Sequence, residues 1–394
     1  MIEPPFLDFS DPAFSTRSAE IAEARAAHWC ARTPYGLAVL RWREVGHLLR
    51  DRRLRQGSHA WPDKHNLIGP FAEFWRRCVI GQEGEAHQRL RALAVPVLTD
   101  DYINSMIPEF ERAAADLTSA MRETDRCEFQ SAFAMPFAGR AVTTLFGMPD
   151  EEWDWVSHDA TELGLAMGVE AKRHEDRFNA AYMRLEALAE RLIARVRVGE
   201  DDSSYVARMV ARFDLDPEVD MRALLDMIVI SIFGGVDTTR AQLGLGLSQF
   251  IENPTQWQAL RDDAGLIPQA VDEIIQARPT TTWASREAVE AFEFGGVHIR
   301  AGETLHMLVH ASARDPLVAS GPVFDITTKR KRHFGFGGGA HHCIGHMVAR
   351  TDIAAALRAL RDLFVTVDYD GPADWLPDSG NTGPVSLPIK YQTS

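Results

Sequence analysis

Cys343 stands in the stretch Phe336-Gly337-Gly338-Gly339-Ala340-His341-His342-Cys343-Ile344-Gly345. A single cysteine lies among glycines, with an aromatic residue before them and a further glycine two positions on. Glycine has no Cβ, so such a loop can take positive φ and let a ligand lie close against the backbone. A thiolate displayed in this way is one means of holding haem iron, and it pushes electron density onto the metal. A free structural cysteine in a glycine-rich turn is a second reading, because free cysteine is among the most buried residue types. Zinc is a third, since His341, His342, Cys343 and His346 crowd together. The crowding lacks the separated ligand pairs of a structural zinc site.

A second chemical constellation is Phe233-Gly234-Gly235-Val236-Asp237-Thr238-Thr239. It falls inside a helical run expected from about Pro217 to Glu252, entered by Asp216-Pro217 and stopped by Asn253-Pro254. Adjacent glycines each cost a helix interior about 1 kcal/mol relative to alanine. They mark either a notch where another helix crosses or a defect that kinks the helix, with a threonine bonding back to a freed carbonyl. An acid and a hydroxyl beside such a defect could carry protons by general acid chemistry.

The cysteine stretch resembles the haem-binding loop of the cytochrome P-450 family, F-G-x-G-x-H-x-C-x-G, with Phe336, Gly337, Gly339, His341, Cys343 and Gly345 at the matching places. The helix segment resembles that family's A/G-G-x-D/E-T signature through Gly234, Gly235, Asp237 and Thr238. The resemblance implies a mainly α fold with small β-sheets, a triangular helical domain with a long kinked central helix over the haem. It implies a single haem-thiolate monooxygenase domain over residues 1–394, with haem b as cofactor and Cys343 as axial ligand. Thr238 is then expected to hydrogen-bond dioxygen or its water, and Asp237 to link that water to bulk solvent. Peroxide-driven or oxidative-coupling chemistry on the same scaffold, or a non-catalytic haem sensor or carrier, are the rival readings.

Haem propionates need cations. His87 and Arg91 resemble the family's H-x-x-x-R helix, and spacing i, i+4 places them on one face. Arg286 and His341 match two further family positions, and arginine suits planar contact with a carboxylate. The resemblance breaks at one network. Glu273 matches the family's E-x-x-R, but Gln276 stands where arginine is expected, and Val323 stands where a later motif places a second arginine. An unpaired buried carboxylate costs several kcal/mol, so Glu273 is expected to find another cation, with Arg278 and Arg314 the candidates, to lie near water, or to be protonated. His346, directly after the cysteine segment, also departs from the family's usual small residue.

The wider chain bounds the partners. It has 394 residues, 45% hydrophobic and 25% charged, with net charge −14. That balance suits a globular protein and argues against nucleic acid, which needs a basic face. The four cysteines are scattered, which fits a reducing cytoplasm. No signal peptide, anchor helix or membrane span is expected. No nicotinamide or flavin fingerprint occurs, so electrons are expected from a separate ferredoxin-type donor. The basic run Lys329, Arg330, Lys331 and Arg332, just ahead of the cysteine loop in an acidic chain, is the expected dock. By resemblance the substrate pocket draws on Leu67, Ile68, Phe71, Leu163, Met167, Ile230, Phe233, Thr282 and Trp283, a mainly apolar set that suits a compact organic molecule.

Helical faces are expected at Leu90, Leu93, Ala94 and Val97, and at Ile353, Ala356, Leu357 and Leu360. Residues 162–198 read as two helices. Strands are expected at Leu37–Leu40, at Phe292–Ile299 with a Gly-Gly turn, and at Val385–Ile389.

Overall fold

The structure, a computed structural model, describes residues 3–11, 14–168, 170–319, 324–378 and 380–393. Val323 therefore lies outside the described residues. The helices that carry the residues singled out above are α1 Gly84–Ala94, α2 Trp153–Gly164, α3 Glu175–Arg197, α4 Met221–Glu252, α5 Ile267–Ala277 and α6 His346–Leu363. The chain forms two compact units. One comprises His59–Gly244, Ile344–Asp374 and Val385–Ser394, the other Met1–Ser58, Leu245–Cys343 and Trp375–Pro384.

The first unit is chiefly helical. Its core joins Phe71, Phe74, Trp75, Phe178, Tyr182, Leu185, Met227, Ile228 and Val236. Along α4, residues 224–230 are all buried, the signature of a helix that is core on every side. The helix begins four residues later than the sequence predicts. Asp216 folds back on the Glu218 amide (3.1 Å) and accepts the Val219 amide (3.2 Å), so Asp216-Pro217 makes a turn. Asp220 is the cap, accepting the Ala223 N–H at 2.8 Å. The far end is as expected, since Pro254 opens the next helix. Residues 162–198 hold the end of α2, two short 3-10 turns, and then one unbroken helix, α3. The predicted apolar faces of α1 and α6 are buried, with Val97 in a 3-10 turn just past α1.

This unit also carries a small antiparallel sheet in which Pro388–Thr393 runs between Arg126–Glu128 and Phe364–Tyr369. The expected strand at Val385–Ile389 is divided at Leu387. There the Glu128 carboxylate takes the Leu387 amide at 2.7 Å, in place of a strand partner.

The second unit is built on a mixed sheet. With β1 Cys30–Thr33, β2 Gly36–Val39, β3 Leu54–Gln56, β4 Trp283–Ala288 and β5 Thr304–Leu308, the order is β1-β2-β5-β4-β3. Only β2 and β5 pair in parallel. Leu37, Val39, Leu305, Met307 and Phe334 pack together beside it. The register of β3 on β4 sets Gln56 opposite Arg286. The hairpin Phe292–Phe294 and Val297–Ile299 turns on Gly295 (φ 56°) and Gly296 (φ 78°), the left-handed pair a two-residue hairpin requires. Among the described residues, no helix is long and apolar enough to cross a membrane.

Candidate functional site

The cysteine loop is held by its own backbone. The Gly337 N–H donates to the Phe334 carbonyl (2.8 Å), and the Cys343 N–H donates to the Phe336 carbonyl (2.9 Å). Gly337 and Gly339 take φ of 68° and 71°. A Cβ at Gly339 would lie 2.2 Å from the Leu49 carbonyl oxygen, so only glycine fits there. The Cys343 side is exposed, whereas Cys30 and Cys78 are buried. Burial pushes the thiols of Cys30, Cys78 and Cys127 up to about 12, which keeps them protonated and poor ligands. Among the described residues, no group of three or more His, Cys, Asp or Glu side chains could hold a metal ion. Of the four cysteines, Cys343 is the exposed one and so the most accessible thiol.

Arg286 stands directly behind the loop. It is 4% exposed, and its guanidinium donates to Gln56 Oε1 (2.9 Å), the Ser285 carbonyl (2.9 Å) and the Gly338 carbonyl (3.3 Å). His341 ends the 3-10 turn Gly339–His341 on the same loop. Gln56 is a residue that sequence reading missed, and its short strand carried no signal of its role.

The partner of Glu273 corrects the sequence expectation. Arg278 is engaged with Ser248 Oγ (2.8 Å) and Glu252 (3.0 Å), and Arg314 donates to the Ala277 carbonyl (3.2 Å). The cation in contact with Glu273 is Arg330, whose Nε lies 2.8 Å from Oε2, while Arg314, one of the expected candidates, acts on the carboxylate through its charge. Both side chains are almost fully buried, at 4% and 3% exposure. The other carboxylate oxygen accepts the Asp325 N–H at 3.0 Å. Arg330 thus leaves the expected docking run, and Lys329, Lys331 and Arg332 remain exposed. The reason is reach: a turn at residues 325–328 folds the chain back toward α5, and burial favours pairing the charge over solvating it.

On α4 the helical pattern is unbroken across the double glycine. The Thr238 hydroxyl donates to the Gly234 carbonyl at 2.6 Å, the expected back-bond. Gly234 is exposed beside the buried Phe233 and Val236, and nothing lies within 4 Å of where its Cβ would be. Gly345 has the same open space. An exposed cysteine on a glycine loop held by its own backbone fits haem bound through a thiolate. Asp237 pairs with Arg240 (3.1 Å), which in turn reaches Gln130 Oε1 (3.3 Å).

Asp352 on α6 was also missed. It is 3% exposed, accepts a hydrogen bond from the Thr239 side chain, and is held well above the usual carboxylate range by burial. The available signal was an acid one position before Ile353, within the apolar spacing of α6. His346 opens α6, and its carbonyl accepts from Arg350 (3.4 Å). His87 is buried on α1, one turn before Arg91.

The expected pocket residues fall into different settings. Leu67, Phe71 and Leu163 are core residues, with the Phe71 ring 4.9 Å from Phe178. Ile230 and Phe233 are buried on α4, and Met167 is partly buried. Ile68 is 67% exposed. Thr282 is committed to the Gly380 carbonyl (2.9 Å), and Trp283 stacks on Phe9 with ring centroids 5.7 Å apart.

Comparison with known proteins points one way. The chain is 33% identical to luteothin monooxygenase of Streptomyces thioluteus, over 98% of this chain and 96% of that protein. It is 30% identical to the putative cytochrome P450 126 of Mycobacterium tuberculosis, over 75% of this chain and 73% of that one. The crystal structure of CalO2 matches with a TM-score of 0.88 at 25% identity, covering 97% of this chain and 99% of that one. No family model matches.

Asp352 makes stability depend on pH. Its folded form keeps a proton that the unfolded chain, near the ordinary value of 3.8, releases. Its burial is therefore free of penalty below that value and increasingly costly as pH rises toward the folded pKa. Asp352→Asn is expected to melt above the parent protein at neutral pH, with the gap closing toward pH 4. A gap that is constant across a thermal-melt series in pH contradicts this.

Proposed function

Because this chain belongs to the cytochrome P450 family of monooxygenases, we propose that it oxygenates a small to medium, largely apolar organic molecule, by hydroxylation or heteroatom dealkylation. The observation that carries this reading is the exposed Cys343 sulfur on a glycine loop closed by its own amides. Bound haem supplies the redox chemistry: substrate, O2, two electrons and two protons give oxygenated substrate and water. We take residues 1–394 as one catalytic domain, since each unit is assembled from stretches the chain visits more than once. The scattered cysteines suit the cytoplasm.

Cys343 would hold the haem iron, its thiolate form favoured by the metal itself. Arg286 and His341 are assigned to the propionates, as are His87 and Arg91 on the family resemblance alone. The Arg286 guanidinium suits this role because Gln56 and the Gly338 carbonyl already fix its plane, so little freedom is lost on binding a carboxylate. Thr238 spends its proton on the Gly234 carbonyl. Its oxygen therefore remains able to accept, and positions a water beside the bare helix face. Asp237 is held by Arg240 and delivers protons to that water when the pair opens, as a general acid. Ile230 lies one turn before Gly234, on the same helical face, and with Phe233 is the best supported part of the substrate wall. Lys329, Lys331 and Arg332, exposed in a chain of net charge −14, steer an acidic ferredoxin.

Reduced protein under carbon monoxide tests the ligand. The parent is expected to give the strongly red-shifted Soret band of a thiolate-bound carbonyl, and Cys343→Ser to lose it. A serine variant that keeps the band sinks the assignment. Thr238→Ala is expected to consume NADH and oxygen at a comparable rate while releasing most of it as hydrogen peroxide. Unchanged coupling of electrons to product in that variant excludes the role. Reversal of Lys329 and Lys331 to glutamate should slow reduction by the donor about tenfold at low salt and flatten its salt dependence. Reduction at the parental rate removes the dock.

A further inference from the structure

We infer that Arg330 positions the thiolate loop in this chain, doing from a loop what Gln276 has no charge to do from α5. The inference rests on the reading of Cys343 as haem ligand. Both oxygens of the buried Glu273 carboxylate are used on one short segment, Oε1 on the Asp325 N–H (3.0 Å) and Oε2 on Arg330 (2.8 Å). The segment between them is itself tied. The Asp325 carboxylate accepts the Thr327 amide (2.9 Å) and the Thr327 and Thr328 hydroxyls (2.6 and 2.7 Å). The Ile326 N–H donates to Gln256 Oε1 at 2.8 Å. This compact turn is what carries Arg330 back to α5.

Beyond Arg330 the chain stays on α5 and then enters the loop. His333 is buried with Nε2 3.5 Å from Asp272, the residue before Glu273. A Cβ at Gly335 would lie 2.5 Å from the Ile275 side chain. Phe334 is buried, and its carbonyl accepts the Gly337 amide. The Phe336 carbonyl accepts the Cys343 amide. Asp272, Glu273 and Ile275 therefore lie against successive points of the segment that leads to the sulfur, and the Glu273–Arg330 ion pair is the first contact along it. Removing one partner leaves a buried charge that can be relieved only by admitting water or moving the segment. Either change shifts the backbone on which Cys343 is hung.

The test uses the reduced carbonyl spectrum of purified holoprotein. Arg330→Met is expected to lower the ratio of thiolate-type to neutral-ligand absorbance at least about tenfold, the scale of an unpaired buried charge. Gln276 lies three residues from Glu273 on α5 and is buried, so an arginine there can reach the same carboxylate. Arg330→Met combined with Gln276→Arg is expected to recover the parental ratio, and it remains decisive if the single variant does not fold. A parental ratio in Arg330→Met, or no recovery in the double variant, overturns the inference. The salt dependence of reduction in the double variant should match the parent, and a flattened one returns Arg330 to the docking surface and also overturns it. A parent that lacks the thiolate band marks a failure of the Cys343 assignment instead.

Discussion

The closure of residues 336–343 onto their own carbonyls is the constraint on which the remaining chemistry depends. A sulfur that must face outward cannot be held by packing its own side chain, so the backbone has to be fixed from behind. Gly337 and Gly339 turn through positive φ, and Gly339 lies against the Leu49 carbonyl where any side chain would collide. Arg286 then caps the Gly338 carbonyl from β4. Each of these contacts uses main chain or a buried cation, leaving Cys343 exposed while the other buried thiols are kept protonated.

Charge inside this protein is placed by pairing. Glu273 and Arg330, both nearly inaccessible, neutralise one another at 2.8 Å. Even so, burial holds the Glu273 carboxyl above its ordinary range, because desolvation outweighs the help from Arg330 and the Asp325 amide. Such a pair is weak evidence for net stability, and its value lies in fixing which segment meets which helix. Asp237 and Arg240 form a second pair, 3.1 Å apart and slightly less buried. Asp352 solves the same problem by keeping its proton, with a hydroxyl from Thr239 at hand.

The cysteine loop and the double-glycine segment were legible because they are local. Six matched positions in ten residues mark the loop, and Gly234 through Thr238 mark the double-glycine segment of α4, which stays helical; both depend on neighbours within a few residues. The Gly-Gly hairpin at Phe292–Ile299 was readable for the same reason, since two adjacent positive φ values need glycine. The errors arose where a local signal met a distant competitor. Asp216-Pro217 looks like a helix entry, yet Asp220 takes the cap. Val385–Ile389 has strand composition, yet the distant Glu128 claims the Leu387 amide.

The sequence by itself set Cys343 in a glycine loop and placed Asp237 and Thr238 directly after a pair of glycines. Spacing along the chain suffices for that, because both settings are made by adjacent residues. It also showed Gln276 and Val323 at the two places where the resemblance implies arginine. Only the tertiary structure decided that Arg330 pairs with Glu273 and so leaves the exposed basic run. It likewise decided that Gln56 steadies Arg286 and that Asp352 is a buried acid. These are contacts between residues far apart in sequence, selected by which charges lose their water when the chain folds, and burial of that kind has no signature in spacing.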